Sequence, residues 1–147
     1  MIDSILLVDD EDLFHLVFDD ACSLLDISLS LRSLNSADDA ANLFKKWFQE
    51  NSQDRPECVF VDLNIIGSSF DGIELIRKVN FEYGNNVVIG IISSSNEPDE
   101  QAKAVQAGAQ FWIIKSDDIE PRLEEFKKDS VKKRETNYII SGNAEVW

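Results

Sequence analysis

The sequence has almost no histidine, little cysteine and few positive charges. Its 147 residues include one His, two Cys and 14 Lys or Arg against 28 Asp or Glu. A single histidine, His15, with no Cys beside it excludes the usual transition-metal sites and Cys-His nucleophilic centres. His15 falls in a helical stretch near an acid cluster and is expected to be a surface or partly covered residue. The cysteines, Cys22 in a helix-like apolar pattern and Cys58 at the start of an apolar run, read as reduced core thiols and not as a disulfide. A formal net charge of -14 repels a polyanion, so direct DNA binding is not expected. No apolar run approaches the ~20 residues that cross a bilayer, and no basic region precedes the first apolar stretch. Neither a membrane span nor a signal peptide is indicated, and a cytoplasmic location is the expectation.

The apolar residues that are present follow two periods. Ile5-Leu-Leu-Val8, Cys58-Val-Phe-Val61, Val87 to Ile92 and Phe111-Trp-Ile-Ile114 are short continuous runs rich in β-branched or aromatic side chains, the pattern of strands covered on both faces. Ser28 to Leu34 alternates, with Leu29, Leu31 and Ser33 on one face, as an edge strand does. Between these runs the period becomes helical. Leu13, Leu16, Val17, Ala21 and Leu24 mark the inward face of a first helix, and Ser36 as N-cap with Asp39 at N3 opens a second that buries Ala40, Leu43, Phe44, Trp47 and Phe48. A third helix follows Asp71-Gly72 with Ile73, Ile76 and Val79; a fourth runs from about Pro98 to Ala107 and stops at Gly108; a fifth carries Ile119, Leu123 and Phe126. This alternation predicts one α/β domain, a parallel sheet with helices on both faces joined by right-handed crossovers. Ligands of such sheets sit beyond the carboxyl ends of the strands.

At those ends stand Asp9, Asp10 and Glu11 after the first strand, Asp62 and Asn64 after the third, Ser93 to Ser95 after the fourth and Lys115 after the fifth. Each alone fits a helix cap or a dipole contact. Together, at the same end of alternating elements, they predict a joint site. Two carboxylates about 4 Å apart repel by ~4 kcal/mol at an effective dielectric of 20, so Asp10 and Asp62 need a cation between them or must take up protons. All-oxygen ligation suits Mg²⁺, which accepts one or two carboxylates together with phosphate oxygens. With Lys115 to neutralise a further anion, the set matches phosphoryl transfer to an in-line carboxylate.

Through Leu6-Leu-Val-Asp-Asp-Glu11, Val59-Phe-Val-Asp-Leu-Asn64, Asp71-Gly72, Ile91-Ile-Ser93, Ala107-Gly-Ala109 and Ile113-Ile-Lys115, the sequence resembles the receiver domains of two-component response regulators over about residues 3 to 130. The resemblance implies a flavodoxin-like, doubly wound five-stranded parallel sheet in the order 2-1-3-4-5 with five helices. It implies a receiver domain over residues 1-134 and a C-terminal tail over 135-147. It also implies a phosphorylation-dependent signalling switch with Mg²⁺ as cofactor. Asp62 would be the phosphoacceptor, Asp10 a direct metal ligand, Asp9 a helper through water and Asn64 a ligand through its main-chain carbonyl. The Ser93 hydroxyl would swing to a new phosphoryl oxygen and Lys115 would pair with another. The donor would be a phosphohistidine on a sensor histidine kinase or phosphotransfer protein, or a small phosphodonor. Such a chain catalyses its own phosphorylation and slow dephosphorylation without being a conventional enzyme. Asn64 and Ser95 would flank the path of the hydrolytic water, and small Ser94 would leave room for the donor. Trp112 falls at the aromatic switch position, with a plain core aromatic as the competing reading. The surface of the fourth helix, fifth strand and fifth helix, including Lys103, Trp112 and Arg122, is expected to carry output to a protein effector or a homodimer.

The sequence also departs from the family. Asn64 to Gly72 contains no proline, Ser116 follows the lysine where proline is common, and a polar stretch from Gln49 to Glu57 lengthens the second connection. Arg122, Lys127, Lys128, Lys132, Lys133 and Arg134 gather in the last quarter and are expected on a solvated helix face. Tyr138, Ile139, Ile140 and Trp147 are expected either to pack on the domain or to be held for a partner. The tail is too short for an output domain, so output is expected to pass through another protein, self-association or relay. Two other functions compete. A phosphatase of the haloacid dehalogenase type would want a second acid two residues after its nucleophile, where Asn64 stands. A non-phosphorylated receiver-like scaffold tends to lack an acid or the lysine, and here both are present.

Overall fold

The computed structural model describes residues 4–25, 30–50, 55–65, 69, 71–83, 87–94, 97–116 and 118–126. Five parallel strands, β1 (Ser4–Val8), β2 (Ser30–Leu34), β3 (Cys58–Asp62), β4 (Val88–Ser93) and β5 (Phe111–Ile114), form one sheet in the order β2-β1-β3-β4-β5. The connections carry α1 (Asp12–Leu25), α2 (Ala37–Gln49), α3 (Gly72–Tyr83) and α4 (Pro98–Ala107), and residues 119–126 form α5. This is the expected flavodoxin-like arrangement.

Strand alternation divides the core into two layers. Leu6, Val8, Val59, Val61, Ile89 and Ile91 face α2, α3 and α4, meeting Phe44, Trp47, Leu75, Ile76 and Ala104. Ile5, Leu7, Cys58, Phe60, Ile92 and Ile113 face the other way, meeting Phe14, Phe18, Ala21 and Cys22 of α1 and Ile119, Leu123 and Phe126 of α5. Because neighbouring residues of β1, β3 and β4 point into opposite layers, these strands must be apolar throughout, which is why they read as continuous runs. Both cysteines are buried and neither is in a disulfide, as expected.

The caps fall where the sequence places them. Ser36 Oγ accepts from the Asp39 amide at 3.2 Å, and α4 opens on Pro98 and stops at Gly108, whose φ of 121° is a conformation L side chains rarely adopt. Asp71 caps α3, its Oδ1 accepting from the Glu74 amide at 2.9 Å.

The first helix corrects its expected face. Leu13, Leu16, Val17 and Leu24 are 69, 64, 43 and 72% exposed, and of the five residues expected inside only Ala21 is buried. The sheet is met by Phe14, Phe18, Ala21 and Cys22. Two apolar stripes with the same period lie about 100° apart on this helix, and the one with the two large rings is inside. Phe18 lies 6.0 Å from Phe14 and 5.5 Å from Phe60, centroid to centroid. On β2, Leu31 is partly covered but Ser33 is exposed. Ser28, Leu29, Ser95, Lys127, Lys128, Lys132 to Arg134, the tail from Glu135, and residues 51–54, 66–68 and 70 of the two loop stretches lie outside the described residues.

Candidate functional site

Parallel pairing brings the strand ends together. Val8 is in register with Val61, Asp62 with Ile92 and Ser93 with Ile114, so Asp9, Asp62, Ser93 and Lys115 emerge on one edge. The Leu63 amide donates to the Ile92 carbonyl at 3.3 Å and the Lys115 amide to the Ser93 carbonyl at 2.8 Å, which extends the pairing into the site.

Asp9, Asp10 and Asp62 each offer a carboxylate oxygen, and these atoms lie within 4.8 Å of one another. Asp9 and Asp62 are buried, Asp10 is partly exposed. The expected three-acid cluster is thus assembled. Lys115 sits among them, its Nζ 2.9 Å from Asp9 Oδ2, 3.3 Å from Asp62 Oδ2 and 3.8 Å from Glu11 Oε2. The lysine was expected to approach Asp62; it does so, but its nearest carboxylate is that of Asp9.

Burial pushes the Asp9 carboxyl above the usual range, and the negative charge of Asp62 adds to this, while Lys115 and the Glu11 amide pull against it. Burial would lower Lys115, but the hydrogen bonds and charges of Asp9 and Asp62 outweigh it and hold the ammonium above its ordinary value. One lysine therefore stays charged amid an excess of acid.

The donor set fits a hard divalent cation. Its atoms are all oxygen, and Asp9 Oδ2, fully covered, faces the Lys115 ammonium at 2.9 Å. Asp9 Oδ1 accepts from the Glu11 amide at 2.8 Å and Asp62 Oδ1 from the Asn64 amide at 3.1 Å, so one oxygen of each carboxylate is anchored by backbone. Asn64 is exposed beside Asp62; Ser93 is fully buried at the end of β4, and Ser94 is exposed next to it.

Three features of the site were not foreseen. His15 Nε2 lies 2.5 Å from the Asp9 main-chain carbonyl, so the partly covered histidine braces the turn after β1. The ring of Phe14 lies 5.0 Å from Lys115 Nζ, closing one side of the ammonium with a π face. Gly72 lets α3 approach the acceptor strand: a Cβ there would lie 2.3 Å from the Asp62 carbonyl oxygen and 2.8 Å from Leu63 Cα. The inward period of Phe14 and the Asp-Gly pair were the available signals. In the loop after Asp62, Ser69 donates through amide and hydroxyl to Asp38 of α2 at 3.0 and 3.2 Å.

Trp112 is a correction to the expected output surface. It is 1% exposed and packs with the layer of α2, α3 and α4, because β5 is covered on both faces and alternation assigns Trp112 to that layer. Lys103 is exposed on α4, and Arg122 donates to the Trp112 carbonyl at 2.6 Å.

Residues 5–125 match the response regulator receiver domain family. Among solved structures, the chain is similar to NtrX from Brucella abortus, with a TM-score of 0.76 at 24% identity over 93% of this chain and 28% of that one. The chain thus spans little more than a quarter of that protein. It is similar to the receiver domain of the same NtrX, with a TM-score of 0.66 at 26% identity, covering 90% of this chain and 98% of that one. The phosphorylated cyanobacterial phytochrome response regulator RcpA shares the fold, with a TM-score of 0.70 at 16% identity over 94% and 97% of the two chains. No curated protein sequence matches the chain significantly.

Proposed function

The chain belongs to the response regulator receiver domain family, and from that membership we propose that it is a phosphorylation-dependent switch in which Asp62 accepts a phosphoryl group. Family membership places it in two-component signalling and implies a cognate histidine kinase. The observation that carries the proposal is the convergence of Asp9, Asp10, Asp62 and Lys115 on one edge of the sheet, with Asp62 at the end of the central strand.

An Asp62 carboxylate oxygen attacks phosphorus, the bond to the donor nitrogen or oxygen breaks, and the leaving group keeps the electron pair. An acyl phosphate results. The anchored Asp62 Oδ1 leaves Oδ2, the oxygen facing Lys115, as the attacking atom. Lys115 meets negative charge on the transferred group, moving from the carboxylates it now neutralises. Asp9, Asp10 and Asp62, with the Asn64 carbonyl, are the residues that would hold Mg²⁺, which when bound neutralises phosphoryl oxygens. The Ser93 hydroxyl reaches for a phosphoryl oxygen after transfer, and pulling on the end of β4 is the start of the output signal. Water attack on phosphorus with departure of the Asp62 carboxylate resets the switch. Trp112 takes part only as a core residue that repacks, and an effector protein or a second copy reads the changed α4–β5–α5 surface.

Incubation with acetyl phosphate and Mg²⁺ tests this. The switch gains about one phosphoryl group per chain on a single carboxylate. Multiple turnover of phosphate esters would favour a phosphatase, and absence of labelling would leave a scaffold.

A further inference from the structure

Leu13, Leu16, Val17 and Leu24 form one outer stripe along α1, 43 to 72% exposed, with Asp20 between them and Asp12 and Asp19 exposed on its flank. Four large apolar side chains in one stripe exceed the single exposed residues ordinary on a surface. The chain has a segment of matching chemistry. Lys127, Lys128, Lys132, Lys133 and Arg134, with Asp129 as their only acid, are followed by Tyr138, Ile139 and Ile140. The segment follows Phe126, the last residue of α5, which is buried in the same core layer as Phe18, Ala21 and Cys22 of α1, a layer against which Leu25 also packs.

We propose that the C-terminal segment docks on the outer face of α1, Tyr138, Ile139 and Ile140 covering the leucine stripe while the basic run meets Asp19, Asp20 and Asp12. The reach suffices, since the twelve residues from Phe126 to Tyr138 span up to ~40 Å extended and the 14 residues of α1 rise ~21 Å.

Thiol accessibility in the full chain tests the docking. Ser23→Cys places a reactive thiol on the helix line of Leu16 and leaves the stripe intact, Phe81→Cys on α3 is an exposed control, and the native Cys22 and Cys58 are buried. The Ser23→Cys thiol should react with a maleimide at least about tenfold more slowly than the control, and Ile139→Asp with Ile140→Asp should bring the two rates within about twofold. Higher salt should raise the protected rate, because the basic run contributes. Equal rates in the unaltered chain overturn the proposal. So does protection that survives the double substitution, and so does protection that grows with protein concentration, which would put a second copy on the face.

Discussion

The carboxyl edge of the sheet and the outer face of α1 both invert the usual distribution of polarity. At the edge, acids are taken from water; on the helix, leucines are left in it. The edge contains its own compensation, since Lys115 lies within 4 Å of three carboxylates and backbone amides anchor two of them. The helix face has no cover among the described residues. An inversion that is balanced internally marks a site poised for a small charged ligand, whereas one without cover marks a surface that awaits a polypeptide.

Substitutions at the two regions should separate these cases. The largest effect on stability belongs to the inner side of α1: Phe18→Ala should cost about 3–5 kcal/mol, and Leu13→Ala on the outer side about 1 kcal/mol or less, measured by urea unfolding. A larger loss for Leu13→Ala than for Phe18→Ala would mean that the helix is turned as its leucines alone suggest. Next comes Gly72→Ala, whose Cβ meets backbone on the Asp62 side; a loss of about 1–3 kcal/mol is expected, together with slower labelling of Asp62 because its strand end is pushed. Unchanged labelling would show that the close approach matters for packing alone.

Asp9→Asn should act in the opposite direction and more weakly. The folded state raises the Asp9 pKa, so it binds that proton more tightly than the unfolded chain does. As pH rises from the ordinary carboxylate range through the raised folded value, wild type loses stability that the variant keeps. The variant should therefore be more stable at neutral pH, by on the order of 1 kcal/mol, with a smaller difference under acid conditions and weaker cation binding. A variant less stable than wild type at neutral pH would show that the lysine pairing outweighs burial.

Much of this was legible from residue order. The strand ends follow from four apolar runs, and once the strands are parallel their polar successors must share an edge, so Asp9, Asp10, Asp62, Ser93 and Lys115 could be grouped before any distance was known. The face of α1 could not be read the same way, because Leu13-Leu16-Val17-Leu24 and Phe14-Phe18-Ala21-Cys22 have equal periodicity and only packing against Phe60 selects between them. Nor does residue order say which acid Lys115 approaches most closely, since Asp9 and Asp62 differ by only 0.4 Å in the folded chain (3.3 against 2.9 Å). Trp112 illustrates a third limit: its place on a strand was clear, but that β5 is covered on both faces at this residue, which buries it, is set by packing and not by residue type.

The most direct test of the switch is the intact mass of wild type and Asp62→Asn after acetyl phosphate treatment with Mg²⁺, read beside their urea unfolding curves. Wild type should carry one phosphoryl group and Asp62→Asn none, with the variant still folded. Undiminished labelling of a folded Asp62→Asn variant would contradict the assignment and, with it, the proposed mechanism.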